Sequence, residues 1–462
     1  MVSTRKSVTT DRIFPALIAG ALFLTAGGSA FAAVSAAEAS ELGKTLTPMG
    51  GEMAGNAAGT IPAWDGGYTT VSKGFAPGDH HPDPFNGDKI QFTITRANLA
   101  QYKAMLGAGQ LAMFGKYANF KMNVYQTRRS AAFPQRTYEM TKKNATSAKI
   151  VGAGAGVESF VEGTPFPIPK NAYEIIWNHK LKFKGTSVIR WENTVTPSAS
   201  GDFTPVRIQE KLFNLYCNPG MTSSNINNVL AYFLQTVESP PRLAGNVLLV
   251  HETMNQERQP RQAWLYNPGQ RRVRKAPQVG YDNPGTGADG LRSNDMTDMF
   301  NGSLDRYEFK TVGKKEMYVN YNSYKAHVSG VKFDDFVRPG FLNPDLMRYE
   351  LHRIWVVEAT LRPGARHQMA RRTFYLDEDS WQTMALDHYD SAGQLWRYSE
   401  AAGISYYDQP LFWSTTEAHH DLKSGRYLAS GLDNLEQRSY IFGTKMVLGD
   451  FSPQALRTSG TR

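Results

Sequence analysis

The segment from Tyr349 to Glu400 constrains the fold most, because it reads as successive short strands joined by tight polar turns. Residues at alternate positions are mostly apolar from Leu351 to Leu361, and Pro363-Gly364 ends this run. Further runs cover 372–376, 381–389 and the residues after Gly393, with polar turns of two to four residues between them. The pattern predicts an antiparallel meander within a mostly β protein with some α-helix. We expect a large curved antiparallel sheet with an apolar, aromatic concave face and one or two helices against that face.

The first thirty-two residues have the pattern of a secretory signal peptide. Three cations precede an apolar stretch, Ile13 to Ala26, and Ala30-Phe31-Ala32 forms a small-x-small cleavage site before Ala33. The stretch is about fourteen residues long, whereas a membrane-spanning helix needs roughly twenty. We therefore expect export with cleavage after Ala32, although an uncleaved N-terminal anchor is the alternative. No later segment approaches eighteen apolar residues, so we expect no transmembrane segment in the mature chain.

The chain has one cysteine, Cys217, far from the cleavage site. We therefore do not expect a lipoprotein, and an internal disulfide cannot form. The fold must rest on burial of its core, and a mature chain of about 430 residues is long enough for that.

The chain is basic, with a formal net charge of +9. The predicted signal carries three cations and one anion, which leaves about +7 on the mature protein. This balance suits anionic lipid surfaces or an acidic partner, while nucleic acid is not expected outside the cytoplasm. A cluster of cations near Trp264 is a candidate docking surface, and a solvated strand face is the alternative reading; we single out Arg261, Arg271, Arg272 and Arg274.

The sequence divides into three parts. After the signal peptide, residues 33–92 are rich in Gly, Ala, Pro and Asp and predict an extended N-terminal arm. Residues 93–462 predict the β body. Two helices are expected in it, one near 95–116 and one near 224–238, the second because apolar residues recur at spacings of three and four before Pro240-Pro241.

Motifs for catalysis, cofactors or metals are weak. The string Gly285-Thr-Gly-Ala-Asp-Gly290 matches the dinucleotide pattern, but no apolar strand precedes it and no apolar helix follows. Adjacent histidines, as in His419-His420, point to opposite faces of a strand and do not ligate one metal easily. A nucleophile elbow is also missing. We predict no catalytic residues, no cofactor and no metal site.

Several longer segments resemble the family called domain of unknown function 1329 (DUF1329). They are Arg261–Arg274, Arg353–Thr360, Arg372–Trp381, Leu42–Pro48 and Gly59–Trp64. The resemblance covers nearly the whole mature chain. It implies a fold like those of the periplasmic lipoprotein carrier LolA and its outer-membrane acceptor LolB, in which an unclosed β-barrel wraps helices around an apolar cavity. It also implies a periplasmic location, with an outer-membrane protein and an RND-type exporter as possible partners.

Together these features favour a periplasmic carrier or adaptor for a hydrophobic small molecule or lipid. The alternatives are a ligand-free scaffold of an envelope complex and, third, an enzyme of unrecognised type. The candidate cavity lining combines apolar residues of the second expected helix with residues of the meander; they are Ile226, Val229, Leu230, Phe233, Trp355, Val357, Phe374 and Trp381. For each of them a closed core is the competing interpretation.

Overall fold

A computed structural model describes residues 1–2, 33–276 and 281–457. The predicted signal peptide lies outside the described residues except for residues 1–2, so its cleavage after Ala32 stays a prediction.

The described ranges form eighteen β-strands. The first ten are β1 Phe92–Ile94, β2 Met122–Val124, β3 Lys149–Val151, β4 Gly156–Glu158, β5 Ser187–Val195, β6 Val206–Asn214, β7 Val229–Ser239, β8 Val247–Thr253, β9 Gln262–Asn267 and β10 Arg272–Lys275. The others are β11 Tyr307–Asn320, β12 Tyr349–Leu361, β13 Arg371–Asp377, β14 Thr383–Tyr389, β15 Leu395–Tyr406, β16 Leu411–Asp421, β17 Tyr427–Leu432 and β18 Ile441–Phe442.

The same ranges contain five α-helices and several short 3-10 turns. The helices are α1 Ala36–Ala39, α2 Ala108–Lys116, α3 Gln135–Ala145, α4 Ala172–Leu181 and α5 Phe333–Phe336. The protein is thus mostly β with few helices, as the sequence predicts.

One large sheet contains all the strands except the β3–β4 hairpin. Its order is β1-β2-β12-β13-β14-β15-β16-β17-β5-β6-β7-β8-β9-β10, with β11 added to β12 and β18 added to β5. Neighbouring strands are antiparallel apart from the contact of β2 with β12, which is parallel. Among the described residues no pairing joins β10 to β1. The sheet is therefore large, mainly antiparallel and unclosed.

The meander is buried on both faces. On β13, Phe374 and Leu376 belong to the same apolar cluster as Trp177 of α4, whereas Tyr375 between them belongs to a second apolar cluster that includes Met113 of α2. Successive side chains of a strand point to opposite faces, so α4 and α2 cover opposite sides of the sheet. This double coverage explains why β13 and β14 contain few exposed positions.

The helix expected near 95–116 is shorter than predicted. Two 3-10 turns, Leu99–Gln101 and Lys103–Met105, precede α2, which begins only after Gly107. Gly109 lets α2 approach the sheet, because a Cβ there would lie 2.1 Å from the ring of Tyr398. Its amide donates to Asp387 Oδ1 at 2.8 Å.

The helix expected over 224–238 is wrong. Residues 229–239 form strand β7, and Asn227 and Asn228 before it have φ of 48° and 63°, in the left-handed region that a right-handed helix cannot include. The spacing of three and four arose because β7 carries apolar residues on both faces: Phe233 lies on one and Leu234 on the other. Aromatic and β-branched residues such as Phe233 and Val237 also favour a strand.

The N-terminal arm is tied to the body by specific contacts. After α1, residues 40–91 contain neither helix nor strand. Trp64 Nε1 donates to the carbonyl of Ala131 at 3.2 Å. Further along, the ring of His81 lies between Asp408 at 2.7 Å and His327 at 3.2 Å, and it is fully buried.

Candidate functional site

A cavity of about 130 Å³ lies on the face of the sheet that α4 covers. Strands β5 to β8 form its floor. The loop from Thr286 to Asn301 and parts of β16 and β17, the strands next to β5 in the sheet, form a wall beside the floor. Lys180 and Lys184 near the end of α4 also line the cavity. A cavity that holds one water molecule has a volume of about 10–15 Å³. This cavity therefore has room for several waters or for part of a ligand.

The floor is built from alternate residues of four paired strands. Val188 pairs with Leu212, Leu212 with Phe233, and Phe233 with Val250. All four line the cavity. This cross-strand set, the apolar row, crosses the whole floor, and side chains opposite each other in antiparallel strands lie about 5 Å apart. It gives the cavity a continuous hydrocarbon surface.

A second cross-strand set, the polar row, runs beside the first. Arg190 Nε donates to Glu210 Oε2 at 2.6 Å, and Gln235 Nε2 donates to Glu210 Oε1 at 2.9 Å. Arg190 Nη1 also donates to the hydroxyl of Tyr440 at 2.7 Å. The strand period of two places these side chains on the cavity face, and their mutual hydrogen bonds compensate for removal from water.

Other charges of the lining form ion pairs. Arg261 Nη2 lies 2.6 Å from Glu252 Oε2, and Lys184 Nζ lies 2.9 Å from Asp298 Oδ2. Lys182 Nζ, behind the wall, lies 2.7 Å from the same Asp298 oxygen. Burial opposes ionisation of Asp298, but the two lysines outweigh it and hold the pKa of this carboxyl well below its usual range.

Two buried groups of the lining have pKa values shifted towards neutrality. Burial lowers the pKa of Lys180 to about 8, and its Nζ donates to the carbonyl of Gly302 at 2.7 Å. Burial, with the neighbouring Glu210 carboxylate, raises the pKa of Glu192 to about 7. The amide of Gly431 donates to Glu192 Oε2 at 2.7 Å. The cavity is therefore amphipathic: a hydrocarbon row on the floor, with polar and charged groups around it.

The residues proposed from the sequence as the cavity lining lie in three environments. Leu230 and Phe233 line the cavity. Val229 and Trp355 are half-buried and do not line it. The remaining four are fully buried in the apolar cluster around α4, away from the lining; they are Ile226, Val357, Phe374 and Trp381. The structure thus separates Phe233 from Phe374, which the sequence groups together.

The proposed docking arginines lie in two different places. Arg261 lines the cavity. Arg271, Arg272 and Arg274 are exposed, at or next to β10, the end strand of the sheet. We call these three residues the basic edge. They place charge on the end strand of the sheet, and charges on such a strand disfavour pairing with a strand of another chain.

The lining residues of β5, β6 and β8 are not predicted from the sequence. The sequence does contain a signal for these lining residues, because Glu210, Leu212 and Asn214 alternate along β6 and share the cavity face. Alternation identifies one face of a strand, but it does not tell which other strand will lie beside it.

Among the described residues, one group of buried side chains with the composition of a metal site lies outside the cavity. His352, Asp377 and Asp379 bring one potential ligand atom each to within 4.8 Å of one another. Arg129 already contacts both oxygens of Asp379, at 2.7 and 2.8 Å. Burial disfavours charge on His352, but Asp377 and Glu350 outweigh it and raise its pKa to about 9. A protonated imidazole has no lone pair to donate to a metal ion. At neutral pH the charged groups of this cluster therefore pair with one another.

Each helix in the described part of the chain is too short or too polar to span a lipid bilayer. The longest, α3, has eleven residues.

Comparison with known proteins identifies the family. Residues 93–457 match the family described as protein of unknown function (DUF1329), and the chain belongs to it. An uncharacterized protein of Pseudomonas aeruginosa is 50% identical over 433 residues, which cover 93% of this chain and 95% of the relative.

Solved structures with a similar chain path have low sequence identity. A putative outer membrane lipoprotein-sorting protein domain from Vibrio parahaemolyticus is 15% identical, with a TM-score of 0.43 over 62% of this chain and 97% of that one. A DUF1329 family protein from Desulfovibrio piger is 13% identical, with a TM-score of 0.41 over 59% and 92%. A LolA superfamily protein from Nitrosomonas europaea is 11% identical, with a TM-score of 0.36 over 62% and 98%.

Proposed function

We propose that this member of the DUF1329 family is a periplasmic carrier that holds a hydrophobic ligand, a lipid or the acyl part of a lipoprotein, in the cavity on β5–β8. The observation that carries the proposal is the apolar row. Val188, Leu212, Phe233 and Val250 form a continuous hydrocarbon surface in the lining of the cavity. Protein interiors are normally packed without such space, so this surface is suited to an occupant.

The energetics suit a transferable ligand. A chain of ten methylenes gains roughly 8 kcal/mol on leaving water, at about 0.8 kcal/mol for each methylene. Part of this gain is lost in ordering the ligand and the side chains around it. The remainder corresponds to an affinity that allows both capture and release. The proposed role is binding and delivery, and it requires no catalytic residue.

The basic edge supports a related role in delivery. Arg271, Arg272 and Arg274 lie at the end of the sheet, exposed to solvent. Such a surface suits docking on anionic headgroups or on an acidic face of an outer-membrane protein or an RND-type exporter. The same surface favours the second candidate function, a scaffold that docks through the basic edge and carries no ligand.

The carrier proposal is tested by binding of an apolar fluorescent probe to the mature protein. We expect saturable uptake, which Ala231→Trp should abolish because Ala231 lines the cavity and the indole fills it. Val312→Trp is the matched control, since Val312 lies on a strand but is 62% exposed. Both variants should keep the far-UV circular dichroism of the parent. Absence of uptake by a folded parent protein, or equal uptake by folded Ala231→Trp, would contradict the carrier role.

A further inference from the structure

The guanidinium of Arg292 is buried in the cavity wall, and among the described residues it has no hydrogen-bond or ion-pair partner. Arg292 is 8% exposed and lines the cavity. Within residues 33–276 and 281–457 its side chain makes no hydrogen bond or ion pair, and its Nε is fully enclosed. Other cations of the lining differ in this respect: Arg190 pairs with Glu210 and Lys184 pairs with Asp298.

An unpartnered buried charge is costly. Removal of a guanidinium from water is compensated only when its donors find acceptors. Arg292 also has little freedom to turn elsewhere, because it packs on Gly285, where a Cβ would lie 3.3 Å from its Nε. The hydroxyl-bearing Thr286, next to that glycine, and Ser430 of β17 line the same cavity. The wall around Arg292 thus offers donors and needs an acceptor.

Arg292 lies at the Glu192 end of the cavity. It packs on Gly285, and Gly287 of the same turn lies against Val206, which pairs with Thr194 two residues from Glu192 on β5. Glu192 and Val188 lie four residues apart on β5, on the same face. At a rise of about 3.3 Å for each residue, roughly 13 Å separates the Glu192 end from the apolar row. A ligand that fills the row and reaches Arg292 must therefore be elongated, with an apolar part at one end and an acceptor at the other.

We propose that Arg292 is the anchor for a compact anionic group, a carboxylate or a phosphate, on an elongated apolar ligand. This inference rests on the proposed carrier function and specifies its ligand as an anionic amphiphile. A planar guanidinium with several donors forms paired hydrogen bonds to carboxylate and phosphate oxygens, and such charge-assisted bonds are stronger than neutral ones. The anion would give Arg292 the partner that the described residues do not supply.

The test measures displacement of a bound apolar fluorescent probe by four twelve-carbon amphiphiles below their micelle-forming concentrations: dodecanoate, dodecyl phosphate, dodecanol and dodecylammonium. We expect dodecanoate or dodecyl phosphate to bind at least tenfold more tightly than dodecanol, with dodecylammonium weakest. The better of the two anions identifies the headgroup. Equal binding of the anions and dodecanol would overturn the inference while leaving the carrier proposal in place. Failure of all four to bind would overturn both.

A variant series checks that Arg292 is the source of the preference. Arg292→Gln should reduce binding of the preferred anion about tenfold and leave dodecanol unchanged, whereas Arg292→Lys should retain part of the preference. The matched control is Arg258→Gln, at an exposed arginine outside the lining. An equal loss for anion and alcohol in Arg292→Gln would contradict the assignment. Should Arg292→Gln fail to fold, Arg292→Lys decides the question, because an anion preference equal to that of the parent protein would contradict the assignment to the guanidinium.

Discussion

Half-buried Arg190 and buried Glu210 form an ion pair in the cavity floor, with 2.6 Å between Arg190 Nε and Glu210 Oε2. The pair joins β5 to β6 at directly opposed positions. Its place beside the apolar row makes it part of both the fold and the cavity.

Glu210→Gln should destabilise the protein, because it leaves the Arg190 guanidinium in the floor without its counter-charge. We expect a loss of about 3 kcal/mol in the free energy of unfolding, measured by denaturant titration. The double variant Arg190→Leu with Glu210→Leu should recover much of this loss, since a hydrophobic pair carries no unpaired charge. A single variant as stable as the parent would show that the pair does not contribute.

The stability of the protein should fall at alkaline pH through His352. Burial disfavours its charged form, but Asp377 and Glu350 raise its pKa to about 9, above the ordinary 6.5. A raised pKa in the folded state means that the stabilisation is complete below about pH 6.5 and is lost as the pH rises through 9. The full effect is about 3 kcal/mol.

His352→Gln is the matched variant for that pH dependence. Its free energy of unfolding should lie below that of the parent at pH 6, and the difference should shrink steadily up to pH 9.5. Denaturant titrations at several pH values measure it. Parallel curves for the two proteins would contradict the assignment to His352.

The basic edge should control association with anionic surfaces. Replacing Arg271, Arg272 and Arg274 together with Gln should weaken binding to vesicles that contain anionic lipid and flatten its dependence on salt, since exposed charges are screened by ions. Stability should not change, because all three side chains are exposed. Co-sedimentation at two salt concentrations measures the effect. Unchanged binding at low salt would leave these arginines as a solvated strand edge.

The predicted export implies that the mature protein has a defined N-terminus. Intact-mass measurement of the protein from a periplasmic extract should give a chain that begins at Ala33, without an acyl adduct, because no cysteine lies at the cleavage site. A mass that retains Met1, or one that carries a covalent lipid, would contradict this prediction.

The sequence predicts the meander well because its signals are local. Alternation and turn residues place β12 to β15 within a few residues of their observed bounds. At β7 the local signal gave a wrong prediction, a helix, because apolar residues on both faces of this strand recur at the spacing of a helix.

The cavity could not be predicted to the same extent, because it depends on which strands become neighbours. Val188 and Val250 are sixty-two positions apart, yet they belong to one cross-strand row. Phe233 and Phe374 are equally apolar in the sequence. Tertiary packing encloses Phe374 in the cluster around α4, while Phe233 is half-buried and lines the cavity.

The comparison of Phe233→Ala with Phe374→Ala tests the central claim most directly. For each variant, the free energy of unfolding and the retention of an apolar probe are measured together. Phe374→Ala should cost about 3–5 kcal/mol, because it opens a hole in a closed core, and its folded fraction should still bind the probe. Phe233→Ala should cost only about 1 kcal/mol, since this side chain already faces the cavity, and it should lose most of the probe affinity. A loss of 3 kcal/mol or more at Phe233 with probe binding unchanged would contradict the account.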